Sequence, residues 1–127
     1  MIAWHDGLDL NRVGLPRREI CIPVGSGRLA ASAYETCLVY ELLKLGLKIE
    51  RQKALPVIYE KVRLDCGYRM DLLVENCVVV EIKSVEMILP IHTAQLLSYL
   101  RLSGIHIGLS INFNVYRLKE GIKRVVI

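Results

Sequence analysis

The hydrophobic pattern is densest between residues 68 and 84, where two apolar runs are joined by a short polar link. The first run spans residues 72–74, the second spans residues 78–80, and the link at 75–77 reads Glu-Asn-Cys. Two aliphatic runs around a link that contains Asn predict a β-hairpin. Because both runs are apolar at every position, we expect strands that are covered on both faces, at the centre of a sheet packed between helices.

Before this hairpin, the pattern predicts one helix and one strand. The helix is expected from about residue 28 to residue 45, with Ser26 as its N-cap and Gly46 as its C-terminal stop. Apolar residues then alternate with polar ones over residues 47–60, which predicts a strand. Pro56 should place a bulge, an edge or a kink in that strand, because proline cannot donate to a sheet ladder.

After the hairpin, the pattern predicts a second helix and two more strands. Pro90 suits the first turn of a helix that runs to about residue 102, and Gly104 should end it. Residues 105–113 and 122–127 are the last two predicted strands. The order helix, three strands, helix, strand, strand predicts an α/β domain with a mixed central sheet flanked by helices.

The first 24 residues follow neither a helical nor a strand period. We therefore divide the chain into an irregular or divergent N-terminal segment at residues 1–24 and a folded domain at residues 25–127.

Composition narrows the class of protein. The chain has 127 residues, which fits one domain with a modest core, and 53% of them are hydrophobic. That apolar excess is compatible with a homodimer. A net charge of +4 fits a polyanionic partner, and no apolar run approaches the length of a membrane span. Without a C-x-x-C pair, the cysteines read as reduced thiols of a cytoplasmic protein.

Three charged side chains interrupt the apolar hairpin: Asp71, Glu81 and Lys83. Glu81 and Lys83 are two residues apart on one strand and therefore point to the same face. A three-residue loop at 75–77 places Asp71 opposite Glu81, whereas a two-residue loop turns Asp71 to the other face. We expect the three-residue loop, or a bulge with the same effect on the register.

Two carboxylates and a lysine on one patch indicate a particular chemistry. Adjacent carboxylates repel each other, and a hard divalent cation with oxygen ligands relieves that repulsion. A lysine beside the cation can orient water and offset negative charge on a phosphate. The alternative is a buried ion pair of the lysine with an acid, without any metal.

Two stretches of the sequence carry a resemblance to a known family. Asp71 followed by Glu81-Ile82-Lys83 resembles the core of the PD-(D/E)XK nuclease superfamily. The downstream stretch HTAQLLSYLRLSGIHIGLSINFN, residues 92–114, resembles the GxxExxY family within it. The resemblance extends from about Gly25 to the last residue and implies a restriction-endonuclease-like αβββαβ core.

The resemblance also implies roles for individual residues. Asp71, Glu81 and the Ile82 carbonyl would hold Mg²⁺ or Mn²⁺, and Lys83 would position the attacking water. Gln95 and Tyr99 would support the lysine and the scissile phosphate. The last two residues are four apart on the predicted second helix and therefore share one face.

The sequence departs from this family at its name motif. Aligned on Tyr34, the glutamate position holds Ala31, and aligned on Gly27 it holds Ala30. Glu35 is a candidate additional acid for the site. The alternative for Glu35 is a surface or helix-pairing glutamate.

The sequence therefore predicts a Mg²⁺-dependent nuclease that hydrolyses phosphodiester bonds in nucleic acid, with DNA favoured as the substrate. The main alternative is a catalytically inactive module of the same fold that binds nucleic acid or another protein. A third interpretation is a structural subunit whose acidic cluster is only an ion-pair network.

Overall fold

The computed structural model describes residues 30–65 and 67–127 and, before them, the backbone of four two-residue strands. These strands are β1 (Ala3–Trp4), β2 (Leu8–Asp9), β3 (Glu19–Ile20) and β4 (Pro23–Val24). Strand β1 pairs with β4 and β2 pairs with β3, both antiparallel. The rest of the predicted irregular segment at residues 1–24 lies outside the described residues.

The remaining chain forms two helices around a central sheet. Its elements are α1 (Ala31–Lys44), β5 (Ile49–Ala54), β6 (Val57–Tyr59), β7 (Val62–Leu64), β8 (Arg69–Val74), β9 (Val78–Lys83), α2 (Pro90–Ser103), β10 (Ile107–Asn112), a 3-10 helix (Leu118–Gly121) and β11 (Ile122–Val126). The sheet has the strand order β11-β10-β9-β8-β5, and only the pair β9–β10 is parallel. Because parallel neighbours need a crossover, α2 connects these two strands. The predicted α/β class with a mixed central sheet is confirmed.

The first helix begins later than the sequence predicted. Its N-cap is Ala30, which makes no side-chain capping bond, so the prediction of Ser26 as N-cap and a start near residue 28 was wrong. The predicted stop is confirmed, because Gly46 follows the helix with a φ of +77°. Packing of an apolar face can hold a helix whose N-terminus is uncapped, since most helical stability in proteins comes from tertiary packing.

Each face of the central sheet packs against one helix. The buried residues on the α1 side are Tyr34, Leu38, Val39, Leu42, Leu47, Leu72, Val74, Val78, Val80, Ile82, Leu109, Ile111, Phe113 and Leu118. Those on the α2 side are Leu55, Met70, Leu73, Val79, Leu96, Tyr99 and Leu100. On the α1 side, the rings of Tyr34 and Phe113 stack with their centroids 4.7 Å apart. Both faces of the central strands are therefore covered, as their unbroken apolar runs predicted.

Helix α2 lies close to the sheet. A Cβ atom at Gly108 would stand 2.8 Å from Leu96 Cδ1, so the glycine on β10 permits this approach. The helix starts at Pro90 and ends at Gly104, which has a φ of +73°, and both predicted ends are confirmed. In its first turn, the Leu89 N–H donates to His92 Nδ1 at 2.9 Å. Among the residues that the structure describes, no helix has the length and apolar character needed to cross a lipid bilayer.

The predicted strand at residues 47–60 is interrupted at Pro56. Strand β5 pairs with β8 at the edge of the central sheet, whereas β6 pairs with β7 in a separate hairpin. Such a break is expected from a proline inside a strand, because it has no N–H to donate to the ladder.

Candidate active site

The loop between β8 and β9 sets the register of the central hairpin. Val74 pairs with Val78, so the loop contains the three residues that the sequence predicted. Glu75 and Asn76 both have positive φ angles, 52° and 55°, which let the chain turn tightly. The predicted register is therefore confirmed.

At the open end of this hairpin, hydrogen bonds from the backbone to two acidic side chains take the place of regular backbone pairing. The last regular pair is Leu72 with Val80, and in the same register Asp71 lies opposite Glu81. The Asp71 N–H donates to Glu81 Oε1 at 3.2 Å, and the Ile82 N–H donates to Asp71 Oδ2 at 2.9 Å. Each acid thus takes a backbone N–H from the opposite strand, and the two carboxyl groups are held beside each other.

Burial of this pair disturbs its protonation. Glu81 is only 3% exposed. Burial, together with the neighbouring Asp71 charge, raises the pKa of the Glu81 carboxyl to about 8, against smaller lowerings by the Asp71 N–H and by Lys83. The pair therefore resists carrying two negative charges unless a cation compensates them. Two carboxylate groups form an oxygen donor set that fits a hard divalent cation.

The amine of the site is held by a chain of hydrogen bonds from α2. Lys83 Nζ donates to Gln95 Oε1 at 3.1 Å, and Gln95 Nε2 donates to the Tyr99 hydroxyl at 2.9 Å. Burial raises the pKa of Tyr99, and the negative charge of Glu81 adds to that effect, so this hydroxyl faces the acids. The five predicted catalytic residues thus lie close together at this end of the hairpin, Asp71 beside Glu81 and Lys83 beside Gln95 and Tyr99.

Lys83 does not neutralise the acids through direct contact. Within the described part of the chain, no salt bridge joins Lys83 to Asp71 or Glu81. Its nitrogen is bound to the neutral amide of Gln95 instead. The hydrogen bond of Lys83 thus runs to α2 rather than to the acids.

Glu35 lies near this site rather than on the surface. It is 6% exposed, and both of its carboxylate oxygens are occupied. Arg51 donates to Oε2 at 2.9 Å, and Gln52 donates to Oε1 at 2.8 Å. Ala31, one of the two positions aligned with the missing motif glutamate, lies four residues earlier on α1 and so on the same helix face.

Gln52 connects Glu35 to the acidic pair. The β5–β8 ladder pairs Arg51 with Leu72 and Lys53 with Met70, which leaves Gln52 opposite Asp71. Gln52 has a φ of +49°, and its Nε2 lies 3.4 Å from Asp71 Oδ1. From the sequence, positions 50–52 read only as a polar strand edge. The only sign of a role for Gln52 in the sequence was this run of polar residues, because neither its positive φ nor its pairing with Asp71 can be read from the sequence.

The described residues contain no cluster of three or more His, Cys, Asp or Glu side chains that could hold a metal ion. The acidic pair itself offers two carboxylates, beside which the Ile82 N–H donates to Asp71. The predicted metal set of Asp71, Glu81 and the Ile82 carbonyl stays a prediction.

A family model described as the PD-(D/E)XK nuclease superfamily matches residues 18–125, and the chain belongs to that superfamily. The mixed five-stranded sheet and its flanking helices are consistent with the restriction-endonuclease-like fold. Comparison with curated proteins and with solved structures finds no match.

Membership of this superfamily indicates a nuclease, whose substrates are nucleic acids. PD-(D/E)XK nucleases generally use divalent metal ions, in keeping with the oxygen donors found at Asp71 and Glu81.

Proposed function

We propose that this protein is a Mg²⁺- or Mn²⁺-dependent nuclease of the GxxExxY family that hydrolyses phosphodiester bonds, with DNA as its substrate. One observation carries the proposal. Asp71 and Glu81 are held side by side by backbone N–H groups of the opposite strand, next to an amine that Gln95 holds without an ion pair to either acid. Acids that lack a compensating contact and a positioned amine fit metal-assisted phosphate chemistry.

The two carboxylates and the Ile82 carbonyl would hold the cation. Once bound, a divalent cation neutralises the acids and polarises a phosphate oxygen. The backbone bonds that Asp71 and Glu81 receive fix the direction of their side chains, so the donor set is largely organised beforehand.

Lys83 orients the attacking water. Water would add to phosphorus in line with the leaving oxygen while the bond from phosphorus to that oxygen breaks. The attacking water would give a proton to solvent, the leaving oxygen would take one from solvent, and negative charge would grow on the phosphate oxygens in between. The positive amine stabilises this charge. Gln95 accepts a hydrogen bond from the Lys83 amine and donates one to the Tyr99 hydroxyl, so the amine is held in one orientation.

A second candidate function is a catalytically inactive module that binds nucleic acid or another protein. Its supporting observation is the replacement of the motif glutamate by Ala31 or Ala30. Both oxygens of Glu35 are already bound by Arg51 and Gln52, so this acid does not simply take the missing position.

We further propose a cytoplasmic protein that forms a homodimer. Cys37 and Cys77 are free, which suits a reducing compartment. Exposed apolar residues such as Ile58, Tyr59 and Met87 suit a contact between two copies. Light scattering on purified protein measures the mass: twice the chain mass supports the dimer, and the single mass contradicts it.

Metal binding is tested first by thermal unfolding. Mn²⁺ or Mg²⁺ should raise the melting temperature of the wild type. At a hundredfold excess of the ion over its dissociation constant, the free energy of unfolding should increase by about 2.7 kcal/mol. Asp71→Ala should abolish the rise, whereas the exposed variant Asp65→Ala should keep it. If the wild type ignores both ions, the proposed metal site is wrong.

Activity is tested on supercoiled plasmid, linear duplex, branched DNA and RNA in the presence of Mn²⁺. Wild type should cut at least one DNA substrate, and Lys83→Ala should reduce the rate about 100- to 1,000-fold. Lys123→Ala, which removes an exposed lysine of the same sheet, is the matched control and should leave the rate unchanged. Binding of DNA in a gel without cleavage by the wild type would favour the inactive module.

A further inference from the structure

We infer that Gln52 is a positioning residue for the metal-binding carboxylate of Asp71, and that Glu35 acts on the site only through Gln52. This inference rests on the proposed function. It assigns Gln52 a part in the site and gives Glu35 a definite role.

The backbone at Gln52 is the first argument. A φ of +49° is uncommon for a residue other than glycine and carries a conformational cost. It occurs where the β5–β8 ladder interrupts its regular pairing, directly opposite Asp71. Strain of this kind persists where surrounding contacts hold it, and it is frequent at functional sites.

The side chain of Gln52 gives the second argument. Its amide nitrogen lies 2.8 Å from Glu35 Oε1 and 3.4 Å from Asp71 Oδ1. Ionised carboxylates only accept hydrogen bonds, so the NH₂ group of the amide, with its two donors, is the end that can serve both acids. Asp71 Oδ2 already accepts from Ile82, and Gln52 lies beside the other oxygen. The carboxylate is thus restrained from two strands.

The surroundings of Glu35 explain why it acts indirectly. Its Oε2 is bound to Arg51 at 2.9 Å and its Oε1 to Gln52, so both oxygens already have protein partners, and a cation would have to share or displace them. Arg51 also supplies the positive charge that this buried acid needs. What remains for Glu35 is to anchor the Gln52 amide in the orientation that reaches Asp71.

The consequence is a chain of contacts from α1 to the metal-binding acid. It runs from Glu35 through the Gln52 amide to Asp71 and needs no third carboxylate in direct contact with the cation. Residues that orient a metal ligand typically change metal affinity about 10- to 100-fold when they are removed.

The test compares two variants that relieve the same kind of backbone strain. Gln52→Gly removes the amide at a position with positive φ, and Glu60→Gly makes the matching change at an exposed turn with a φ of 53°. We expect Gln52→Gly to weaken Mn²⁺ binding about 10- to 100-fold by calorimetry, and Glu60→Gly to leave it unchanged. Thermal unfolding in EDTA verifies that both variants are folded.

A second comparison separates indirect from direct action by Glu35. Glu35→Gln alone should weaken Mn²⁺ binding, because it disturbs the anchor of the amide. In the Gln52→Gly background the same change should have no further effect on Mn²⁺ binding. If it reduces affinity equally in both backgrounds, Glu35 contacts the cation directly and the inference is wrong.

The Mn²⁺ dependence of cleavage is a further test, because a purely structural role of Gln52 would not change it. Gln52→Gly should raise the Mn²⁺ concentration needed for half-maximal cleavage, and saturating Mn²⁺ should restore most of the rate. If Mn²⁺ binds the wild type and requires Asp71, but Gln52→Gly binds it within twofold of wild type, this inference alone fails. If Mn²⁺ does not bind the wild type, the proposed function fails together with it.

Discussion

The two faces of the central sheet differ although they share the same strands. On β9, Val80 and Ile82 point into the apolar cluster under α1, whereas Glu81 and Lys83, at alternate positions, belong to the side that faces α2. The side facing α1 is apolar packing, apart from Glu35 and its partners Arg51 and Gln52. The side facing α2 is apolar around Leu96 and polar around the acids. One strand thus serves stability with one set of residues and chemistry with the other.

This difference has an energetic consequence. Apolar side chains on the α1 side stabilise the fold as they leave water, each fully buried aliphatic residue by about 1.5 to 3 kcal/mol. The buried acid on the α2 side does the opposite, because burial and the neighbouring Asp71 disfavour its charged form. We therefore expect changes of the apolar residues on the α1 side to alter stability, and changes at the site or in its supports to alter binding and catalysis.

The largest expected effect is on the α1 side. Leu42 is 1% exposed on α1, and Leu42→Ala should cost about 2 to 5 kcal/mol in the free energy of unfolding, measured with urea. Because this residue packs away from the acids, the Mn²⁺ dissociation constant of the folded variant should equal that of the wild type. The exposed Leu43→Ala, next to it on the helix, is the control and should change stability little. Loss of Mn²⁺ affinity in Leu42→Ala would show that the two faces are coupled.

An intermediate effect is expected from the buried acid. The folded protein keeps a proton on Glu81 up to about pH 8, whereas the unfolded chain releases it near 4.5. In EDTA the contribution of Glu81 to the free energy of unfolding is therefore fully present below about pH 4.5. It is lost as the pH rises to about 8, and this loss amounts to up to roughly 4 kcal/mol.

The stability difference between wild type and Glu81→Gln isolates this effect, because other groups titrate alike in both proteins. Relative to the variant, the wild type should lose stability between pH 5 and 8 in urea unfolding. Glu86→Gln, at an exposed glutamate, is the matched control. A difference that stays flat across this range would contradict the raised pKa of Glu81.

The smallest expected effect concerns the support of the lysine. Tyr99→Phe removes the hydroxyl that accepts from Gln95, so Gln95 holds Lys83 less firmly. We expect cleavage to slow about tenfold, equivalent to about 1.4 kcal/mol in the transition state, with no change in the Mn²⁺ midpoint. The exposed Tyr40→Phe is the control. An unchanged rate in Tyr99→Phe would mean that the chain from α2 to Lys83 does not contribute.

Much of the site could be predicted because it depends on local patterns. Alternation along β9 placed Glu81 and Lys83 on one face, and the length of the loop after Val74 set Asp71 opposite Glu81. Gln95 and Tyr99 share a helix face because they are four residues apart. The start of α1 was mispredicted, because Ser26 carries a capping signal whereas the helix begins after Ala30 without a side-chain cap.

What the sequence by itself determined is therefore the set of elements, the hairpin register and the residues that share a face, since these follow from the periods of strands and helices. Tertiary structure alone decided that Glu35 is buried and that Gln52 links it to Asp71. Gln52 lies 17 residues from Glu35 and 19 from Asp71 along the chain, so these contacts exist only once β5 has paired with β8 and α1 has packed beside it. No local period carries such information, because it depends on how separate elements meet and on one backbone angle that those contacts hold.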